Sequence, residues 1–174
     1  IYDDAQNLSG MVENVLGITR LESGVEIKKE VEVAEEVIGA AVQLTEVHHP
    51  EYDIQVSVPE EILMVPMDAS LIQQAITNLL ENAIKYNRDG GIVQIYVIDE
   101  KDSVRLTVED NGIGIPPEDK QRVFERFYRG DKSHSGKIDG TGLGLSIVKR
   151  AVAYHGGTVT LESQEGRGTE ISVV

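Results

Sequence analysis

Two carboxamides and a lysine fall on one stripe of a helical segment: Asn78, Asn82 and Lys85 in Asn-Leu-Leu-Glu-Asn-Ala-Ile-Lys-Tyr (78–86) are spaced i, i+4 and i+7. Leu79, Leu80, Ala83 and Ile84 take the other side, which suits a buried face. Such a stripe fits a nucleotide site. On these residues alone, an amphipathic helix with a polar outer face is the alternative.

Asp110 opens Asp-Asn-Gly-Ile-Gly-Ile directly after an apolar strand that ends at Val108, so its carboxylate stands where a strand meets a glycine turn. A carboxylate there can accept a hydrogen bond from the exocyclic amine of adenine. It would disfavour guanine, which presents a carbonyl at that point, by about 1–3 kcal/mol for the unpaired acceptor. A plain Asp-Asn-Gly hairpin turn is the competing reading.

Gly140-Thr141-Gly142-Leu143-Gly144-Leu145 opens a helix expected over 143–155. Glycines let backbone amides approach phosphate, and the helix N-terminus adds its positive end. The run is neither a P-loop nor the dinucleotide fingerprint, because the required Gly-Lys-Ser/Thr and third-glycine spacings are missing. It follows a loop expected over 129–142 that carries Arg129, Lys132 and Lys137. A loop of that length reads as a lid over phosphates, mobile until a ligand arrives.

The elements that must hold these residues can be read from the remaining pattern. The 174 residues are 40% hydrophobic and 26% charged, enough for one core with a small appendage, and there is no cysteine for a disulfide or thiolate site. No apolar run approaches the roughly 18 residues that suggest a membrane span. The chain begins at Ile1 without a methionine or signal peptide, so it is expected to be part of something longer.

Charge is uneven: residues 1–84 hold three Lys/Arg against sixteen Asp/Glu, and residues 85–174 hold thirteen against fourteen. Between Lys120 and Lys137 six basic residues face two acids, an anion-visited stretch in a chain of net charge −14. Nucleic acid is disfavoured as that anion by the repulsive total, and a small polyphosphate is favoured.

Leu8, Met11, Val15 and Ile18, widened by Val12 and Leu16, form a coiled-coil-like seam in a helix over 2–22. An ordinary helix packed on its own domain is the alternative. Glu22-Ser23-Gly24 stops that helix, and Val25–Val33 reads as a short strand or linker. A helix is expected from Ala34 to Val47, a strand over 52–58 and an extended piece at 64–66. Asp68 is expected to cap a helix running to about Tyr86. Strands follow at 92–98 and 104–109, a helix at 118–128, and a strand pair at 158–163 and 169–174. Without a regular βαβ alternation, this points to a two-layer α/β sandwich.

The ordered set of motifs resembles the sensor histidine kinases, whose ATP-binding domain belongs with DNA gyrase, Hsp90 and MutL. The match is carried by the 78–86 segment, Asp-Asn-Gly-Ile-Gly-Ile at 110–115, Phe-Glu-Arg-Phe-Tyr-Arg at 124–129, Gly-Thr-Gly-Leu-Gly-Leu at 140–145 and Gly-Arg-Gly-Thr at 166–169. The resemblance runs from about residue 34 to the end. It implies a Bergerat-type fold with a mixed sheet and helices on one face, preceded by one N-terminal helix. It also implies ATP and Mg2+ as ligands.

By the same resemblance Asn82 is the magnesium ligand, with Asn78 assisting; Lys85 and Tyr86 contact phosphate, and Asp110 reads adenine. Gly112 and Gly114, with Ile115, shape the adenine pocket, and Thr169 supports that side. Arg129, after Tyr128, meets the γ-phosphate. Gly140, Thr141, Gly142, Leu143, Gly144 and Leu145 wrap the phosphates. Hydrolysing relatives resemble this chain except for a water-activating glutamate at the position of Asn78, so phosphate transfer is expected and hydrolysis should be slow.

None of His48, His49, His134 or His155 stands in the acceptor context His-Glu-Leu-Arg-Thr-Pro. Residues 1–24 instead resemble the second helix of the dimerisation and phosphoacceptor hairpin, and 25–174 the catalytic domain. The implied partners are the phosphoacceptor helix and a cognate response regulator, with no membrane contact by this segment. The implied location is the cytoplasmic part of an inner-membrane sensor. A finer resemblance, at 11–21 and 65–69, is to the potassium-responsive KdpD-type kinases. The rival functions are a nucleotide-gated binding module without turnover and a hydrolysing clamp ATPase.

Overall fold

The structure, a computed structural model, describes residues 2–24, 26–130 and 140–174. Its elements run α1 (Tyr2–Glu22), β1 (Glu30–Val33), α2 (Ala34–His48), β2 (Ile54–Ser57), β3 (Met64–Met67), α3 (Ala69–Lys85), β4 (Val93–Asp99), β5 (Val104–Asp110), α4 (Gly144–Tyr154), β6 (Val159–Gln164) and β7 (Gly168–Val173). Five strands form a mixed sheet in the order β2-β4-β5-β7-β6, in which only β2 and β4 run parallel. The α/β sandwich expected from sequence is present.

Period-two alternation buries Val93, Ile95 and Val97 of β4 on the helix side of the sheet, while Gln94 and Tyr96 face away. Against that side α3 lays Leu71, Ala75, Ile76, Leu79, Leu80, Ala83 and Ile84, and α4 adds Ile147, Val148, Ala151 and Val152. Each large aliphatic side chain so buried contributes roughly 1.5–3 kcal/mol. Asp68 does cap α3, its Oδ1 accepting the Leu71 N–H at 3.1 Å.

His155 joins the two helices' far ends. Its Nε2 accepts the Asp68 N–H at 2.9 Å while its Nδ1 lies 2.6 Å from the Ala151 carbonyl. The imidazole is therefore the neutral Nδ1–H tautomer, a brace with both nitrogens engaged.

One expectation changes. Residues 118–128 form successive turns, in which the Asp119, Arg122 and Glu125 N–H groups return to the carbonyls of Pro116, Asp119 and Arg122. The cause is at the far end: Phe127 adopts φ 60° and its N–H reaches the Gly142 carbonyl at 2.9 Å, a path that a continuing helix does not allow. The stretch read as a short strand or linker and the extended piece at 64–66 do contain strands, β1 and β3, and these pair with each other in a separate two-stranded antiparallel sheet. Of the lid expected over 129–142, Lys132, His134 and Lys137 lie outside the described residues, as do Val25 and Ile1.

Candidate functional site

The stripe on α3 faces the glycine run that leads into α4. A Cβ added at Gly140 would fall 1.9 Å from Lys85 Nζ, and one at Gly144 would lie 3.2 Å from Asn78 Oδ1. Asn78, Lys85 and the two glycines therefore form one wall, which side chains on the glycines would fill. Asn78 is 6% exposed and spends its Nδ2 on the Gln74 carbonyl at 3.0 Å, leaving its oxygen on the Gly144 side. Asn82 and Lys85 are half-buried on the same stripe.

Helix α4 begins at this wall without a side-chain cap. Thr141 Oγ1 accepts the Leu143 N–H at 3.3 Å, and the first turn directs its positive end outward along the glycine run. The side chains of Leu143 and Leu145 do not reach for a ligand; Leu143 is buried and Leu145 packs on the core, which anchors the run. Gly142 needs its left-handed φ of 69°, and a Cβ there would meet the Phe127 and Tyr128 backbone at 2.8–2.9 Å.

Directly after Lys85, Tyr86 connects this wall to the carboxylate. Its carbonyl accepts the Ile113 N–H at 3.0 Å, and a Cβ at Gly112 would stand 2.3 Å from that oxygen. Lys85 Nζ lies 5.4 Å from the Tyr86 ring centroid. Burial pushes the Tyr86 phenol up, and the positive charge of Arg129 draws it back, which puts Arg129 near this end of the site.

Asp110 ends β5 on the sheet's helix side and accepts the Gly112 N–H at 2.8 Å. Burial raises its carboxyl to about 6 from an ordinary 3.8, against the pull of the Gly112 and Thr169 N–H groups. Its loop is fastened on three sides. Asn111 Oδ1 accepts the Ile92 N–H at 2.7 Å, the Gly166 N–H reaches the Ile113 carbonyl at 2.7 Å, and the Ile115 N–H reaches Ser163 Oγ at 2.8 Å. Gly114, at φ 70°, lies so close to β6 that a Cβ would meet the Gln164 carbonyl at 2.1 Å. Arg88 adds a guanidinium contact to the Gly166 carbonyl.

Asn78, Lys85, Gly140 and Gly144 thus meet on one side of a cluster whose other side joins Tyr86 to Gly112 and Asp110. Tyr128 departs from it: its hydroxyl bonds Asp119 and Arg122 stacks 4.3 Å from its ring centroid. A hollow of about 680 Å3 opens there, beside Arg122, Arg126, Phe127 and Arg129, and none of Asn82, Lys85 or Asp110 lines it. The sequence reading missed Ser163, Arg88 and Asn111 as fasteners. Ser163 had a signal, because a serine in step with Val159 and Leu161 faces the same side as those apolar residues.

Residues 67–174 match the family model described as histidine kinase-, DNA gyrase B- and HSP90-like ATPase. The chain is 41% identical over 160 residues to the sensor protein KdpD of Clostridium acetobutylicum, covering 91% of this chain and 18% of that one. It is 44% identical over 118 residues to the sensor histidine kinase WalK of Bacillus subtilis, covering 67% of this chain and 19% of the relative. Among solved structures, the mycobacterial sensor histidine kinase MprB superimposes with a TM-score of 0.72 at 31% identity, over 83% of this chain and 95% of that one. The chain therefore spans about a fifth of the length of these two relatives.

Proposed function

Because the chain belongs to the histidine kinase-, DNA gyrase B- and HSP90-like ATPase family, we propose that its domain transfers the γ-phosphate of ATP to a histidine within a two-component sensor kinase. The observation that carries this reading is the meeting of the α3 stripe with the glycine run, Lys85 against Gly140 and Asn78 against Gly144, beside an uncapped helix N-terminus.

Each residue has a role in the reading. Asp110 accepts the adenine amine, Gly112 and Gly114 let the base approach the backbone, and Lys85, Tyr86 and Arg129 meet the phosphates. Gly140, Gly142 and Gly144 admit them to the backbone amides of α4. The carboxamide oxygens of Asn82 and Asn78 are of the hard kind that magnesium takes. Among the described residues no group of three or more His, Cys, Asp or Glu can cage an ion. In this reading the ion would be held by Asn82, assisted by Asn78, together with phosphate oxygens and water. When bound, it neutralises charge on the transferring phosphoryl group.

Asn78 stands where hydrolysing relatives carry a glutamate, and a neutral amide does not deprotonate water. An imidazole needs no such help, which favours transfer over hydrolysis. In this reading residues 1–24 are the second helix of a dimerisation and acceptor hairpin, and 25–174 are the catalytic domain. The acceptor is a histidine of that hairpin, the onward partner is a response regulator, and magnesium accompanies ATP. The parent is a membrane-anchored sensor of the potassium-responsive KdpD type, with this domain on the cytoplasmic side. Among the described residues no helix is long and apolar enough to cross a membrane.

A second reading, a nucleotide-gated docking module without turnover, has one contact in its favour. Glu22 at the end of α1 bridges Arg126 at 2.5 Å and Arg150 at 3.5 Å, tying α1 to the segment that contacts Gly142. Incubation with radiolabelled Mg-ATP and the separately made acceptor hairpin distinguishes the two. Transfer gives acid-labile phosphate on the hairpin, lost in Asn82→Ala. ATP binding without label supports the docking module.

A further inference from the structure

Asp110, Thr169 and Ser163 stand opposite one another on β5, β7 and β6, in a row across the helix side of the sheet. Ser163 Oγ has three neighbours: the Ile115 N–H at 2.8 Å, the Gly168 carbonyl at 2.8 Å and Thr169 Oγ1 at 2.9 Å. The first can only donate and the second can only accept. A serine hydroxyl carries one proton and two lone pairs. Its proton must go to Gly168, since otherwise two oxygens would face each other at 2.8 Å without one. One lone pair takes the Ile115 N–H. The contact with Thr169 then uses the threonine's own proton, delivered into the serine's second lone pair.

From this proton count, and resting on the adenine reading of Asp110, we propose that Ser163 is a specificity-determining positioning residue that makes Thr169 an acceptor-only group beside Asp110. The base edge then meets two acceptors side by side. Adenine supplies an amine, to Asp110 directly and to Thr169 either directly or through a water. Hypoxanthine or guanine sets a carbonyl oxygen against them, and Thr169 has no proton left to offer it. Ser163 also fixes the 112–115 loop through the Ile115 N–H, but the proton assignment alone predicts a change in selectivity.

Calorimetry of the whole chain with Mg-ATP and with Mg-inosine triphosphate tests this. The wild type is expected to prefer ATP by tenfold or more. Ser163→Ala frees the Thr169 proton to turn toward a carbonyl, so the ATP-to-inosine-triphosphate affinity ratio should narrow by about tenfold, roughly one hydrogen bond. Ser163→Thr keeps the hydroxyl and should keep the ratio. Should the alanine variant fold poorly, Ser163→Cys, close in shape and a weak hydrogen-bonding group, should narrow the ratio in the same way. A parallel loss for both nucleotides, with the ratio unchanged, would make Ser163 a structural brace and overturn the inference. If the wild type does not discriminate, the adenine role of Asp110 fails with it. If Asp110→Asn collapses the ratio while the Ser163 variants keep it, the Asp110 role stands and the Ser163 role falls.

Discussion

Asp110 shows how a functional group costs its own fold stability. Its carboxyl, raised to about 6 by burial, holds a proton more tightly in the folded protein than in the unfolded chain. Stability from this group is therefore present at low pH, falls as the pH rises from about 4 to 6, and stays low above that. The gap from the ordinary value corresponds to at most about 3 kcal/mol, and to about 1–2 kcal/mol with part of the carboxylate in water. Asp110→Asn removes the charge while keeping an acceptor for the Gly112 N–H. It should raise urea-unfolding stability at pH 8 by about 1 kcal/mol and weaken ATP binding by tenfold or more. Nucleotide affinity of the wild type should also drop as the pH falls through 6, because the acid form has lost an acceptor. The triphosphate titrates nearby, so the diagnostic is the difference between wild type and Asp110→Asn, in which that contribution cancels. Identical pH profiles would assign the effect to the nucleotide. Asp110 was legible in the sequence as a carboxylate at a strand end, but the proton count at Ser163 was not, because it depends on pairing residues 48 positions apart.

At the scale of elements, glycines of similar appearance in the sequence have different duties. Gly140 faces the tip of a flexible lysine, so Gly140→Ala should leave the melting temperature within about 2 °C of wild type while displacing Lys85 and weakening ATP binding about tenfold. Gly168 has φ 127° and its added Cβ would stand 2.0 Å from the Asp110 carbonyl oxygen, a backbone atom that cannot step aside. Gly168→Ala should cost about 2 kcal/mol or more in denaturant unfolding. Equal melting temperatures for the two variants would remove this distinction. The same contrast explains what the pattern of apolar residues conveyed. Alternation in β4 and the 3.6-residue period of α3, with its Asp68 cap, express local preferences, and they appear where expected. Residues 118–128 carry helical spacing too, but the Phe127–Gly142 bond overrides it. That pairing, like the β1–β3 register, joins segments with no mark in either sequence.

For the molecule as a whole, α1 is the part whose packing is incomplete. One side is satisfied: Gly17 is buried where a Cβ would strike Gln74 of α3, and Glu22 reaches Arg126 and Arg150. Those two guanidiniums, Arg126 first, hold the Glu22 carboxyl below its usual range. The other side shows Leu8 at 63%, Met11 at 46%, Val12 at 51%, Val15 at 53% and Leu16 at 54% exposure, in the spacing of a coiled-coil seam. An ordinary surface helix would turn that stripe inward, and here the inward side is taken by a glycine. The seam is thus suited to a partner helix, at roughly 25 cal/mol for each Å2 of apolar surface removed from water. The chain on its own should self-associate weakly through it, in a concentration-dependent way that sedimentation equilibrium detects. Leu8→Glu with Val15→Glu should abolish the association while leaving ATP affinity within about twofold, because neither residue approaches the α3 stripe. Association that persists in the double variant would place the contact on another face. A parallel loss of nucleotide binding would instead show that α1 and the site act as one unit, with Glu22 as the joint between them.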